Sequence, residues 1–166
     1  FQPWMGWAAA VLVLLGGAAL WLKGNSDTPQ QLADEFAVTE PGLPVFMGTS
    51  PRTMDAIMNA YKQDDLTTAR LLLTSAVEKD PQNDTLQYFN GVLELRGAGC
   101  ASADAWFARV QTSSVFGAKA QFNLALCALR AHDIVRARTL LGSIEKGDDA
   151  QFVAKSRDLL RRLENM

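Results

Sequence analysis

Apolar positions along this chain follow three regimes. Residues 4–22, WMGWAAAVLVLLGGAALWL, are apolar without a single charge. An α-helix rises 1.5 Å per residue, so this run is just under about 30 Å long, the thickness of bilayer hydrocarbon. Trp4 and Trp7 at one end and Trp21 at the other suit the membrane–water boundary, and Lys23 follows where an ammonium group snorkels to headgroups. The expectation is one transmembrane helix. No basic segment precedes the run and no clear small-residue cleavage site follows it, which argues against a removed signal peptide. A run apolar on every face also argues against an amphipathic core helix. Gly6, Ala10, Gly16 and Gly17 would let another membrane helix approach closely.

The second regime, 23–50, is broken by turn residues and prolines, which remove backbone donors and fix φ. It reads as a linker. Within it, 30–36 reads as a short helix with Leu32, Ala33 and Phe36 on one side, and Val45, Phe46 and Met47 are expected to dock on the domain or a partner.

From Thr53 onward the apolar pattern is helical and repeats every 34 residues. Ala69, Ala103 and Ala137 form one column; Ile57, Gly91 and Ala125 a second; Leu66, Cys100 and Ile134 a third. Leu73, Phe107 and Leu141, then Ala76, Val110 and Ile144, complete five columns in one register. Residues 51–147 therefore predict three helical hairpins, about 51–83, 84–117 and 118–147, whose apolar faces must stack on one another. Asp148 and Asp149 open a closing helix within 148–166, with Phe152, Leu159, Leu160 and Leu163 on one face. Lys155, Arg157, Arg161 and Arg162 fall largely off that face and predict a solvated outer side. The expected fold is all-α: an N-terminal transmembrane helix, an α-solenoid of three hairpins, and a C-terminal capping helix.

The period and the residue types resemble the tetratricopeptide repeat family. Small residues sit where helix A must approach helix B: Gly91 and Ala125 on helix A, and Ala69, Ala103 and Ala137 on helix B. The first copy, AYKQDDLTTARLLLTSAVEKDPQN, keeps Pro81 after helix B. The helix A tryptophan is absent, the turn glycine is displaced in the second copy, and the terminal proline is kept only in the first. The resemblance implies a concave groove built by helix A side chains outside the packing columns. By register these are Met54, Met58, Tyr61 and Lys62; Tyr88, Val92, Leu95 and Arg96; and Lys119, Phe122, Leu126, Leu129 and Arg130. Lys62, Arg96 and Arg130 recur at 34, a basic ladder beside an apolar groove that suits a helix or an extended peptide with acidic residues or a free carboxylate. The same three cations also lie near helix C-termini, where a positive charge is favourable by about 0.3–1 kcal/mol, so dipole compensation is the competing reading.

Charge and chemistry narrow the function. Net charge is −2 and no basic block occurs, which argues against a nucleic-acid partner. No base stands between Lys23 and Arg52, while Asp27, Asp34, Glu35 and Glu40 are acidic. Such a flank is readily translocated, which points to a C-terminal domain outside the cytoplasm. His132, the one histidine, falls in a turn without a nucleophile beside it, and GAGC at 97–100 falls in a short interhelical turn. Asp64–Asp65 and Asp148–Asp149 read as turn and cap residues. Neither catalytic residues nor a metal or cofactor are expected. Cys100 and Cys127 leave two readings open: two buried small residues, or a disulfide between adjacent repeats. The organisation also resembles membrane-anchored tetratricopeptide proteins of the bacterial envelope, some linked to anti-sigma-type regulators. That resemblance implies a bacterial inner-membrane protein with its C-terminal domain in the periplasm. The expected function is a non-enzymatic membrane scaffold or adaptor. It would bind other membrane-protein subunits, a peptide or helix in its groove, and the bilayer, and so help assemble a membrane complex. An anti-sigma-type regulator and an envelope chaperone-like factor are the alternatives.

Overall fold

A computed structural model describes residues 27–43 and 53–166. The expected span at 4–22, its small residues Gly6, Ala10, Gly16 and Gly17, and Val45, Phe46 and Met47 lie outside the described residues. Among the described residues there are eight helices and no strand: α1 (Pro29–Phe36), α2 (Thr53–Lys62), α3 (Leu66–Lys79), α4 (Asp84–Gly97), α5 (Cys100–Phe107), α6 (Gly117–Arg130), α7 (Ile134–Ile144) and α8 (Ala150–Glu164). No described helix is long and apolar enough to cross a membrane.

The repeat period sets where the second helix of each hairpin starts. The second helices of the three hairpins begin at Leu66, Cys100 and Ile134, one column of the 34-residue pattern. Asp65 and Asp133 cap the first and third of these, each carboxylate accepting from the backbone N–H three residues on. The Thr68 hydroxyl and then its backbone N–H, both donating to the carboxylate, hold the Asp65 carboxyl below its ordinary range. The preceding residues, Asp64 (φ 61°) and His132 (φ 60°), make the left-handed turn. His132 is therefore an exposed turn residue. Asp149 caps α8 in the same manner, its side chain accepting from Gln151 and Phe152.

Packing follows the columns. α2 packs on α3, α4 on α5 and α6 on α7; α3 meets α4, α5 meets α6, and α8 closes on α7. Ala69, Ala103 and Ala137 are each 0 % exposed, and Leu73, Phe107 and Leu141 are buried beside them. A Cβ at Gly91 would meet the Phe107 ring at 2.6 Å, so glycine there admits a phenylalanine where the other hairpins carry leucine. Two apolar clusters result. One, spanning the first two hairpins, is aromatic, with Tyr88 stacked on Phe116 at 4.7 Å between centroids. The other joins α6, α7 and α8 to α1 and is mostly aliphatic.

The linker expectation for 23–50 needs correction over 27–43, because this segment is packed into the fold. Leu32 and Ala33 are 0 % exposed, and α1 lies against α6 and α8. Removing that apolar surface from water holds the segment in place. The outer side of α8 is corrected with it. Arg162, expected to be solvated, pairs with Asp27 just before α1 and with Glu35 on it.

Candidate protein-binding site

The face built by α2, α4 and α6 is already occupied by the chain itself. Local sequence explains how the occupant folds. Thr28 and Gln31 form a reciprocal capping box, Gln31 N–H to Thr28 Oγ1 at 3.2 Å and Thr28 N–H to Gln31 Oε1 at 2.9 Å, with Pro29 opening the helix. One face of α1 carries Leu32 and Ala33 into the cluster with Phe122, Leu126 and Leu129. Ala37 turns the backbone to an extended conformation, and 37–43 runs on without regular structure. Gly42 has φ +78°, and a Cβ there would meet the Tyr61 ring at 3.2 Å. Both the left-handed backbone and the close approach to α2 call for glycine.

Polar anchors along this segment come from the predicted groove. The Tyr61 hydroxyl donates to the Glu40 carbonyl at 2.5 Å, and Lys62 Nζ donates to the Leu43 carbonyl at 2.6 Å. The Tyr88 hydroxyl donates to the Glu40 carboxylate at 2.7 Å, and Lys119 Nζ reaches the same oxygen at 3.2 Å. The Leu43 N–H faces Met58 Sδ at 3.2 Å. Arg130 Nη2 donates to the Asp34 carboxylate at 2.9 Å and turns Nη1 towards Cys100 Sγ at 3.8 Å. Arg162 donates to Asp27 at 2.7 Å and to Glu35, with its guanidinium over the Phe36 ring. All four acids of the segment are thus paired with bases of α6 or α8.

Burial ranks these contacts. The Glu40 side chain is 12 % exposed against 70 % for Asp34. Exposed pairs of this kind are worth about 0–1 kcal/mol, whereas the sheltered Glu40 hydrogen bonds count for more. The electrostatics agree. Burial, reinforced by the hydrogen bond to the Glu40 carboxylate and its charge, pushes the Tyr88 hydroxyl well above the ordinary tyrosine range. Burial raises Tyr61 too, opposed by the neighbouring Arg96 guanidinium. The Glu35 and Asp27 carboxylates hold Arg162 above its ordinary value.

Most of the expected groove residues are brought together, but beneath the chain's own segment. Met58, Tyr61, Tyr88, Val92, Phe122, Leu126 and Leu129 are buried, while Met54 and Leu95 are partly so. The basic ladder divides by partner. Lys62 takes a backbone carbonyl, Arg130 takes Asp34, and Arg96 takes Asp64 at 2.6 Å while lying over the Tyr61 ring at 4.9 Å. A cleft of about 380 Å³ opens between the 37–40 stretch and the wall made by Val92, Leu95 and Leu126.

Cys100 and Cys127 are disulfide-bonded, their Cα atoms 5.3 Å apart, and tie the start of α5 to α6. Of the two readings the residues left open, the bond is the one the structure contains. Among the described residues no group of three His, Cys, Asp or Glu side chains could hold a metal ion. Asp34, Glu35, Glu40 and Arg162 were absent from the sequence-derived site. The T-P-Q-Q capping signature at 28–31 and the one-sided Leu32, Ala33 and Phe36 were the available signal that this stretch docks. Compared with protein-family profiles, curated proteins and solved structures, the chain matches none.

Proposed function

We propose that this chain is a non-enzymatic scaffold or adaptor of tetratricopeptide type. The apolar run 4–22 anchors it in a membrane, and its helical hairpins bind protein partners to assemble or stabilise a membrane complex. One observation carries the reading. Side chains of three successive helices, Tyr61 and Lys62 of α2, Tyr88 of α4 and Lys119 of α6, engage the chain's own segment through two backbone carbonyls and a carboxylate. That is peptide-recognition chemistry, with main-chain contacts giving affinity and an acid giving register. The stacked hairpins and the 34-residue columns support an α-solenoid of three repeats closed by α8. The Cys100–Cys127 bond supports an oxidising compartment, and with it a bacterial inner-membrane protein whose repeats face the periplasm.

Purification of the full chain from its native membrane in detergent tests the function. A defined stoichiometric set of co-purifying subunits is expected. Charge reversal at Arg96 and Arg130 is expected to abolish their capture while leaving the melting temperature nearly unchanged. A heterogeneous pool of clients would turn the reading to an envelope chaperone-like factor. Capture unchanged by the double reversal would refute the groove as the binding surface.

A further inference from the structure

The concave face is filled in cis, and the manner of filling specifies what fills it in trans. We propose that residues 27–43 are an intramolecular ligand that keeps this face closed, and that the partner admitted to it is a protein segment of the same chemistry. That segment is a short amphipathic helix followed by an irregular stretch bearing a carboxylate. The proposal rests on the adaptor reading above and adds the partner's chemistry and its regulation.

Three observations support it. First, the contacts to 37–43 are those of a ligand. They fall on two carbonyls and one carboxylate, while Ala37, Val38 and Thr39 remain exposed and pack little. Second, the fit is incomplete. The cleft beneath 37–40, lined by Val92, Leu95 and Leu126, leaves Leu95 only partly covered, so a partner with a larger apolar side chain there gains contacts that the resident segment lacks. Third, charge is complementary along the whole track. Asp27, Asp34, Glu35 and Glu40 face Arg162, Arg130 and Lys119, which selects an acidic occupant and disfavours a basic one.

Tethering explains why the closed form prevails alone. Nine residues, 44–52, join Leu43 to Thr53. A short tether presents its ligand at an effective concentration on the order of millimolar, which a free peptide of equal affinity cannot match at micromolar levels. Weakening the resident anchors without touching the groove removes that competitor.

The test uses the full chain in detergent, as wild type and as the Leu32→Ala, Glu40→Ala double variant, and a fluorescein-labelled peptide with the sequence of 27–43. Anisotropy should show the peptide binding the double variant at least tenfold more tightly than the wild type. A peptide carrying the Glu40→Ala change should bind the double variant at least tenfold more weakly than the native peptide. Hydrogen exchange should report lost protection across 27–43 in the double variant. Lost protection without peptide binding overturns the proposal. Retained protection without binding, or a double variant that no longer melts cooperatively, makes the segment a permanent part of the core and overturns it equally. Subunits that co-purify with the wild type while the peptide fails would sink this proposal and spare the adaptor. Peptide binding with no co-purifying subunit would do the reverse.

Discussion

The two halves of the segment 27–43 lie on one face of the molecule and are held by different forces. α1 is held by apolar surface: Leu32 and Ala33 are completely buried, while its acids sit in pairs open to solvent. The 37–43 half buries little and is held by the Glu40 carboxylate and by the Glu40 and Leu43 carbonyls. Fully burying a leucine side chain contributes about 1.5–3 kcal/mol and does not depend on exact register. A hydrogen bond contributes about 0.5–1.5 kcal/mol, more when charged, and only in one geometry. The helix therefore supplies most of the affinity and the irregular half supplies the register. Detaching the second half leaves the first in place.

Removing the apolar key should have the largest effect on this contrast. Leu32→Ala should lower the opening free energy of α1, read by native-state hydrogen exchange, by about 2–5 kcal/mol. A loss below about 1 kcal/mol would mean that the ion pairs, not the apolar contact, hold the helix. Glu40→Ala leaves the Tyr88 hydroxyl and Lys119 without their acceptor and should cost about 1–3 kcal/mol at 37–43 while barely changing exchange in α1. Equal losses in both halves would show that they open as one unit.

Alkaline titration separates them again. The folded chain keeps Tyr88 neutral beyond the pH at which an unfolded tyrosine ionises, near about 10. The stabilisation is thus complete below about pH 10 and is lost as pH rises above it, approaching about 1.4 kcal/mol per pH unit for each such tyrosine. Denaturant midpoints from pH 9 to 11 should fall accordingly, and Tyr88→Phe should flatten the fall. An unchanged slope in that variant would assign the loss elsewhere. Asp34→Asn should have the smallest effect, less than about 1 kcal/mol, shrinking further in 1 M salt.

The hairpins were legible in the sequence because their determinants are periodic. Ala69, Ala103 and Ala137 must be small wherever two helices cross, and Leu66, Cys100 and Ile134 follow the turn residues that start each second helix. The occupant of the face was harder to read. Its contacts join residues 96 and 135 positions apart, Arg130 with Asp34 and Arg162 with Asp27, and nothing local announces such pairs. The prolines and acids of 27–43 resemble a solvated tether, and the acids were legible only as a translocation signal. The apolar side of α1 was visible, but its destination was not. The same limit held for Cys100 and Cys127. Their spacing allows a bond, and only the approach of α5 to α6 brings the two sulfurs together.

The order of the chain has a mechanical consequence. Along the chain, the residues before Asp27 are joined to the hairpins through 27–43 and the residues that follow it. A pull on the N-terminal side is carried first by the clasp of Arg162 on Asp27 and Glu35, then by α1, then by Glu40, and only afterwards by α2. The segment thus acts as a fuse in series with the repeats. Traction applied at Asp27 would therefore open the face before it loads the hairpins, of which α5 and α6 are tied by Cys100–Cys127.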